Sequence, residues 1–333
     1  MQYTISPGVA SAAGRLPMSR FLVIGGAHLD RRGQVKGALH LHASNPGHWE
    51  ETAGGGAFNA ARNLARLGHV VRLVAPRGGD PAGETVARAA ADAGVEDTPI
   101  TFLDRATPTY SAILDSQGDL VVALADMALY DAFSPRQCDR RPLRDAIAEA
   151  DAVLVDANIP EATIARLARR CGEAGRPLSA IAISPAKIVR LKPVLSALSC
   201  LFMNRREAEA LVGPLAEDGQ AQAEQLRAVG IARAIVTAGS GPALAFDQQQ
   251  TFLLSAIEGC TIVDVTGAGD ALAAATLGAL QAGLPFIEAC HYGVAAASLA
   301  VESAEPAPPG LTLDAVRARL ALVPPIDPLH LNR

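Results

Sequence analysis

Wholly apolar runs alternate with helical stripes along most of the chain. Phe21-Leu-Val-Ile is apolar at every position and stops at Gly25-Gly26, the pattern of a strand buried on both faces. Residues 33–52 break that pattern. Polar positions there alternate with Val35, Ala38, Leu39 and Leu41, and the absence of a helical stripe predicts short strands exposed on one side. Gly54-Gly55-Gly56 then leads into a predicted helix over 57–67, closed by Gly68. Residues 70–75 read as the next strand, and 84–93 as a helix closed by Gly94. Segments 109–114 and 120–124 flank Asp115-Ser-Gln-Gly118 and predict a hairpin, which with 33–52 would make a small sheet of its own. Beyond about residue 140, strands are predicted at 152–155, 178–183, 200–203, 234–237, 243–246 and 261–265, with helices between most of them. Two long helices follow Asp270 and Ile287. Such alternation predicts an α/β fold: a doubly wound, mostly parallel sheet in three α/β/α layers, with a small β-sheet beside it. Residues 1–20 are expected to form a loose tail, with Met18 an alternative natural start, and 323–333 a second tail. The Pro-rich stretch from 306 on is expected to wrap the surface.

Composition narrows the chemistry. Half of the 333 residues are hydrophobic, enough for a sizeable core, and aromatics make up only 4%. The net charge is −5 and no basic run interleaves with aromatics, which disfavours nucleic acid as a partner. An anionic ligand would have to be met locally, by backbone N–H groups and a metal. The cysteines Cys138, Cys171, Cys200, Cys260 and Cys290 form no Cys-x-x-Cys motif and read as core thiols in a reducing cytoplasm. Residues 1–20 lack the continuous apolar core of a signal peptide, and no membrane span is expected, because the Ala-rich runs are interrupted by Gly, Pro or charge.

Asp264-Val-Thr266-Gly267-Ala268-Gly269-Asp270 has the richest chemistry. A tight loop of small residues opens a helix, whose first-turn N–H groups point outward at the positive end of the dipole. Gly267, Ala268 and Gly269 let a phosphate approach the backbone, forming an anion cradle. A carboxylate at Asp270 beside that cradle suits a general base taking the proton of an attacking hydroxyl. The plain alternative is a helix N-cap, a role Asp commonly fills.

The two halves of the chain together resemble the ribokinase-like (PfkB) carbohydrate kinases. Asp264 to Asp270 is similar to their C-terminal signature. Gly54-Gly55-Gly56-Ala-Phe58-Asn59, running on to Arg66-Leu-Gly68, is similar to their N-terminal one, and the resemblance spans about 21–322. It implies a kinase domain over those residues, with segments 33–52 and 107–125 as a lid that excludes water. It also implies ATP and Mg²⁺, and K⁺ near Asp264 and Thr266. By the same resemblance Asp30, Gly55, Asn59 and Asn158 hold the acceptor, and Asp126 adds a lid contact. Asn204-Arg-Arg-Glu207 resembles the family's Asn-x-x-Glu motif, with both residues in the water shell of Mg²⁺ and Asn204 also on the nucleotide. The same pattern is a capping box, and the two roles are compatible. Thr237, Gly239 and Gly241 fall at the family's nucleotide-binding turn, where a plain hairpin turn is the alternative. The helix around 296–299 would flank the nucleotide. Lys187 could reach a phosphate, or be a solvated lysine.

Within the family, Ser44-Asn-Pro-Gly47, Asp126-Met127 and Asp156-Ala-Asn158-Ile159 resemble the pseudouridine kinase branch. Two departures stand out. Phe58 takes the place of an arginine before Asn59, and Ile181-Ala182 take the place of an Asp-Pro pair. The acceptor class implied is a small sugar or nucleoside, with ribose, adenosine or inosine, fructose and 2-keto-3-deoxygluconate as alternatives to pseudouridine. A sensor of the same fold is the non-catalytic alternative, and a homodimer through the lid strands is expected. His40 and His42, with His28 and His48 nearby, lack the further ligands of a metal hydrolase, and Asn59 stands where a dinucleotide fingerprint needs glycine. No Gly-Lys-Ser/Thr occurs, which excludes a Walker A site.

Overall fold

The computed structural model describes residues 17–326 and 329. Its strands are β1 (Arg20–Ile24), β2 (His28–Val35), β3 (Gly47–Gly54), β4 (Val70–Val74), β5 (Pro76–Gly78), β6 (Glu96–Asp97), β7 (Ile100–Phe102), β8 (Thr109–Leu114), β9 (Leu120–Asp126), β10 (Ala152–Asp156), β11 (Leu178–Ile181), β12 (Leu198–Asn204), β13 (Ala234–Ala238), β14 (Gly241–Phe246) and β15 (Thr251–Leu254). Its α-helices are α1 (Gly56–Arg66), α2 (Pro81–Asp92), α3 (Arg141–Glu149), α4 (Glu161–Glu173), α5 (Pro185–Ile188), α6 (Arg205–Val212), α7 (Gly219–Ala228), α8 (Ala268–Gln281), α9 (Phe286–Val301) and α10 (Leu313–Leu320).

Nine strands form one sheet in the order β15-β14-β13-β12-β11-β10-β1-β4-β6, parallel from β13 to β6 and antiparallel at β13–β14 and β14–β15. The central strands are covered on both faces, which is why they read as unbroken apolar runs. One core layer packs β1, β4 and β10 against α1, α8 and α9, and the other packs the opposite face against α3, α4 and α6. Parallel strands all end at the same edge, and the loops that leave that edge gather the polar residues predicted above.

The small separate sheet is present, in the order β3-β2-β8-β9, with β2–β8 parallel and the outer pairs antiparallel. It begins at His28 and so includes Asp30. His40 and His42 lie in the loop joining β2 to β3 and are not part of a strand.

The strand predicted at 261–265 is absent. Val263 and Asp264 N–H donate to Val301 O at the end of α9, and Ile262, Val263 and Val265 face outward. That edge of the sheet is filled by β15, a four-residue strand the sequence pattern did not reveal. The Pro-rich end includes a helix, α10, and Val323 and Ile326 pack into the core. Residues 1–16 of the expected N-terminal tail lie outside the described residues, while Ser19 is buried and its N–H donates to His69 Nδ1. All five cysteines are free thiols, four of them buried, and burial pushes Cys138, Cys171 and Cys200 up to about 12. No described helix is long and apolar enough to cross a membrane.

Candidate active site

The site grows from a hub at the end of β10. Asp156 is fully buried. Its Oδ2 accepts from Gly26 N at 2.9 Å, Ala57 N at 3.0 Å and Asn158 Nδ2 at 2.8 Å, and its Oδ1 accepts from Asn158 N at 2.9 Å. One carboxylate thereby ties together the turn after β1, the first turn of α1 and the loop after β10. Sequence reasoning gave Asp156 no role, although an acid closing an apolar strand was a visible signal.

Gly55 makes the approach possible. Its φ is 115°, and a Cβ there would run into the carbonyl of Gly26. Gly54 likewise leaves room for the Asp30 carboxylate, which reaches in from β2. Asp30 Oδ1 lies 3.3 Å from His28 Nε2, and His28 Nδ1 lies 2.9 Å from the Tyr130 hydroxyl.

Asp270 and Asn59 meet across the cleft. They are 211 residues apart in sequence, yet α1 packs on α8 so that Asn59 Nδ2 donates to Asp270 Oδ2 at 2.9 Å. Asp270 stands in the first turn of α8, after Gly267, whose left-handed φ of 81° starts the helix. A Cβ on Gly267 would strike the Pro306 carbonyl, so the segment after α9 braces the anion loop. The first regular helical bond is Ala271 N to Gly267 O, which leaves the N–H groups of Gly269 and Asp270 ahead of the ladder. Asp270 does not cap the helix with its own side chain, so the plain structural alternative does not explain it. Water reaches it only in part, and burial pushes its pKa up to about 7. The Asn59 hydrogen bond and the Arg62 charge oppose the rise, while Asp156 and Glu207 add to it. An acid poised near neutrality beside a helix N-terminus is suited to accept a proton there.

Asp264 Oδ1 accepts from Thr266 N at 2.8 Å, and its Oδ2 lies 3.8 Å from Arg32 Nη1, a contact between the small sheet and the anion loop. On the other side of the cleft, Asn204 and Thr237 are register partners at the ends of β12 and β13. Asn204 and Glu207 form the capping box of α6: Asn204 N donates to Glu207 Oε2 at 2.7 Å and Glu207 N donates to Asn204 Oδ1 at 2.9 Å. Burial raises the Glu207 pKa. Gly239 and Gly241 shape the tight turn joining β13 to antiparallel β14.

Lys187 faces the loop after β10. It sits in α5 and donates through Nζ to Asn158 Oδ1 at 2.5 Å. With Arg190, Asp131, Tyr130, Ala125 and Met127, these residues line a cavity of about 220 Å³. Asp126, expected as a contact from the small sheet, is exposed and outside that lining, whereas its two chain neighbours are within it.

The pfkB family carbohydrate kinase pattern matches residues 18–312. The chain belongs to that family. It is 28% identical over 285 residues to the pseudouridine kinase of Escherichia coli K12, covering 84% of this chain and 90% of that one. It is 27% identical over 293 residues to the guanosine-inosine kinase of Exiguobacterium acetylicum, covering 86% and 96%. A carbohydrate kinase structure from Agrobacterium tumefaciens superimposes with a TM-score of 0.86 at 48% identity, covering 94% of this chain and all of that one. Arabidopsis thaliana ribokinase, solved with ribose and ATP, has the same fold at TM-score 0.80 and 22% identity, covering 91% and 99%. This pfkB-family chain is therefore a phosphotransferase of the sugar and nucleoside kinase class, acting on a hydroxyl group.

Proposed function

We infer that the chain transfers the γ-phosphoryl group of ATP to a hydroxyl of a nucleoside, with pseudouridine as the leading acceptor and its 5′-phosphate as product. The observation that carries this reading is the Asn59–Asp270 pair at the first turn of α8. The acceptor oxygen bonds to the γ-phosphorus as its proton passes to an Asp270 oxygen and ADP departs with the bridging electron pair. The N–H groups of the 267–270 turn meet the charge spread over the transferred group.

Asp30, Gly55, Asn59 and Asn158 are assigned to the acceptor's hydroxyls. The cavity beyond Asn158 favours a nucleoside over a free sugar. Lys187 and Arg190 offer donors and Asp131 offers acceptors, a set that complements the carbonyl and imide edge of a pyrimidine. The two nucleoside-kinase relatives point the same way. Lys187 is accordingly assigned to the acceptor and not to ATP.

The nucleotide is assigned to the Asn204, Thr237, Gly239 and Gly241 side. No trio of His, Cys, Asp or Glu among the described residues forms a metal cage, which fits an ion held mainly by substrate phosphates and water. Glu207, made reluctant to ionise by burial, and Asn204 would face that shell. When bound, Mg²⁺ neutralises phosphate charge. Asp264 and Thr266 are assigned to K⁺. The small sheet acts as the lid, and Arg32 reaching Asp264 is its contact with the anion loop. Five unpaired thiols favour a reducing, cytoplasmic setting.

The lid also supports a homodimer. Every residue of β9 is exposed, including Leu120, Val122 and Leu124, and a second copy would cover this edge. Light scattering across a dilution series is expected to give the mass of two chains. Replacing Val122 and Leu124 together by Lys should give the mass of one. A dilution-independent monomer in the unaltered protein would discard the dimer.

ADP release from Mg-ATP, with K⁺ present or omitted, tests the function across pseudouridine, uridine, adenosine, inosine, ribose, fructose and 2-keto-3-deoxygluconate. Preference for pseudouridine is the expected result. Preference for ribose or fructose would keep the kinase and remove the nucleoside reading.

A further inference from the structure

We propose that Arg62 is a positioning residue: it fixes which way the Asn59 amide faces and so aims a hydrogen-bond donor at the Asp270 carboxylate. This rests on the reading of Asp270 as the base.

Arg62 is an unusual residue for its position. It lies one turn after Phe58 on the inner face of α1, whose other buried residues are Ala, Leu, Phe and the two asparagines Asn59 and Asn63, and it is only 8% exposed. Burial lowers its pKa to about 10, so it stays charged at neutral pH. The guanidinium carbon sits 4.6 Å from the Phe58 ring centroid, and Nη2 donates to Ala53 O at 3.2 Å. The same Nη2 donates to Asn59 Oδ1 at 2.7 Å.

The bond to Asn59 imposes a direction. An amide side chain presents a carbonyl at one end and an NH₂ at the other, and the two can exchange by a half-turn. A guanidinium has donors only, so it selects the carbonyl end. The NH₂ end must then face the opposite way, where Asn59 Nδ2 meets Asp270 Oδ2 at 2.9 Å. If the amide were reversed, its oxygen would face the carboxylate oxygen, with no proton between them while Asp270 is ionised. Arg62 therefore acts on Asp270 twice: through its charge, and through the sense of the amide. The groups facing Asp270 are Asn59 and Arg62 from α1, Asp156 from the end of β10 and Glu207 from α6. Arg62 in turn faces Arg66, Glu305, Asp270 and Asp30. Of the charged groups that act most strongly on the carboxylate, Arg62 is a cation and Asp156 and Glu207 are acids.

Asp270 must be ionised to accept a proton, so turnover rises with pH through its pKa. Removing a nearby cation and a fixed donor raises that pKa, and the acid limb moves to higher pH. The test is the pH profile of kcat, taken with the acceptor that gives greatest ADP release, for the unaltered chain, Arg62→Met, Arg62→Lys and Arg62→Gln. The unaltered chain is expected to show an acid limb near 7. In Arg62→Met the limb should move up by roughly one pH unit, with most of the lost turnover regained on the alkaline side. Arg62→Gln keeps a donor for Asn59 without the charge, and Arg62→Lys keeps the charge, so each should move the limb by less. Arg62→Lys and Arg62→Gln carry the test if the Met variant does not fold: limbs unmoved in both overturn the proposal. Loss of turnover that is equal at every pH also overturns it, because it marks a merely structural arginine. An unaltered chain with no acid limb would instead sink the assignment of Asp270, and Arg62 with it.

Discussion

Asp270→Asn is expected to lower turnover about a thousandfold or more while both substrates still bind close to normally. The substitution keeps the size of the side chain and its place in the first turn of α8, but the amide cannot take a proton at neutral pH. It also places an NH₂ or a carbonyl against Asn59 Nδ2, where the native carboxylate accepts at 2.9 Å, and the carbonyl orientation retains that bond. Fold and acceptor binding are therefore preserved, and the loss should fall on kcat and kcat/KM together, as when an interaction made only in the transition state is removed. Steady-state kinetics with calorimetric binding of acceptor and nucleotide reads both. Turnover within tenfold of the unaltered chain would take Asp270 out of the chemistry.

Asp156→Ala is expected to destabilise the fold by about 3 kcal/mol. Three residues donate to its two oxygens: Gly26 and Ala57 through N–H, and Asn158 through both N–H and Nδ2. Truncation leaves the Gly26 and Ala57 N–H groups without that acceptor in a region water does not reach, and such orphans cost more than the bond itself contributes. A fall in Tm of roughly 4 °C should follow for a chain of 333 residues. Because the same carboxylate joins the turns that carry Gly55 and Asn158, acceptor affinity should fall as well. Circular dichroism melts read the first effect. A Tm within about two degrees of the unaltered chain would show that the turns hold themselves without Asp156.

Much of this arrangement was legible before any coordinates, for a local reason. The glycines before α1 and α8 meet steric demands set within a few residues, so their spacing shows in the sequence: Gly55 against the Gly26 carbonyl, Gly267 in the left-handed region. The wholly apolar strands read equally well, because both faces are covered. What failed depended on distant partners. Thr261-Ile-Val has the β-branched content of a strand, but the carbonyl at the end of α9 takes the N–H groups of Val263 and Asp264, and β15 holds the sheet edge. Propensity yields there to tertiary hydrogen bonding. The contact that Lys187 makes with Asn158 could not be read from the sequence either, because it is set by where the short helix α5 packs. Arg62 could have been noticed as a cation among the buried Ala, Leu and Phe positions of α1. Its bond to the Asn59 amide oxygen follows only from the folded geometry.

The pairing of Asn59 with Asp270 also has a consequence in time. Those two side chains are 211 residues apart, so at ordinary rates of synthesis about 10–40 s separate their emergence from the ribosome. Throughout that interval the face of α1 that α8 will cover has no partner, and Arg62 has no carboxylate across the cleft. The first half of the nascent chain therefore waits with an uncovered apolar surface and a buried-to-be charge, and the protein acquires its chemistry abruptly, when the last crossover docks. A chain arrested before α8 would be both inert and adhesive, a natural client for whatever shields nascent polypeptides.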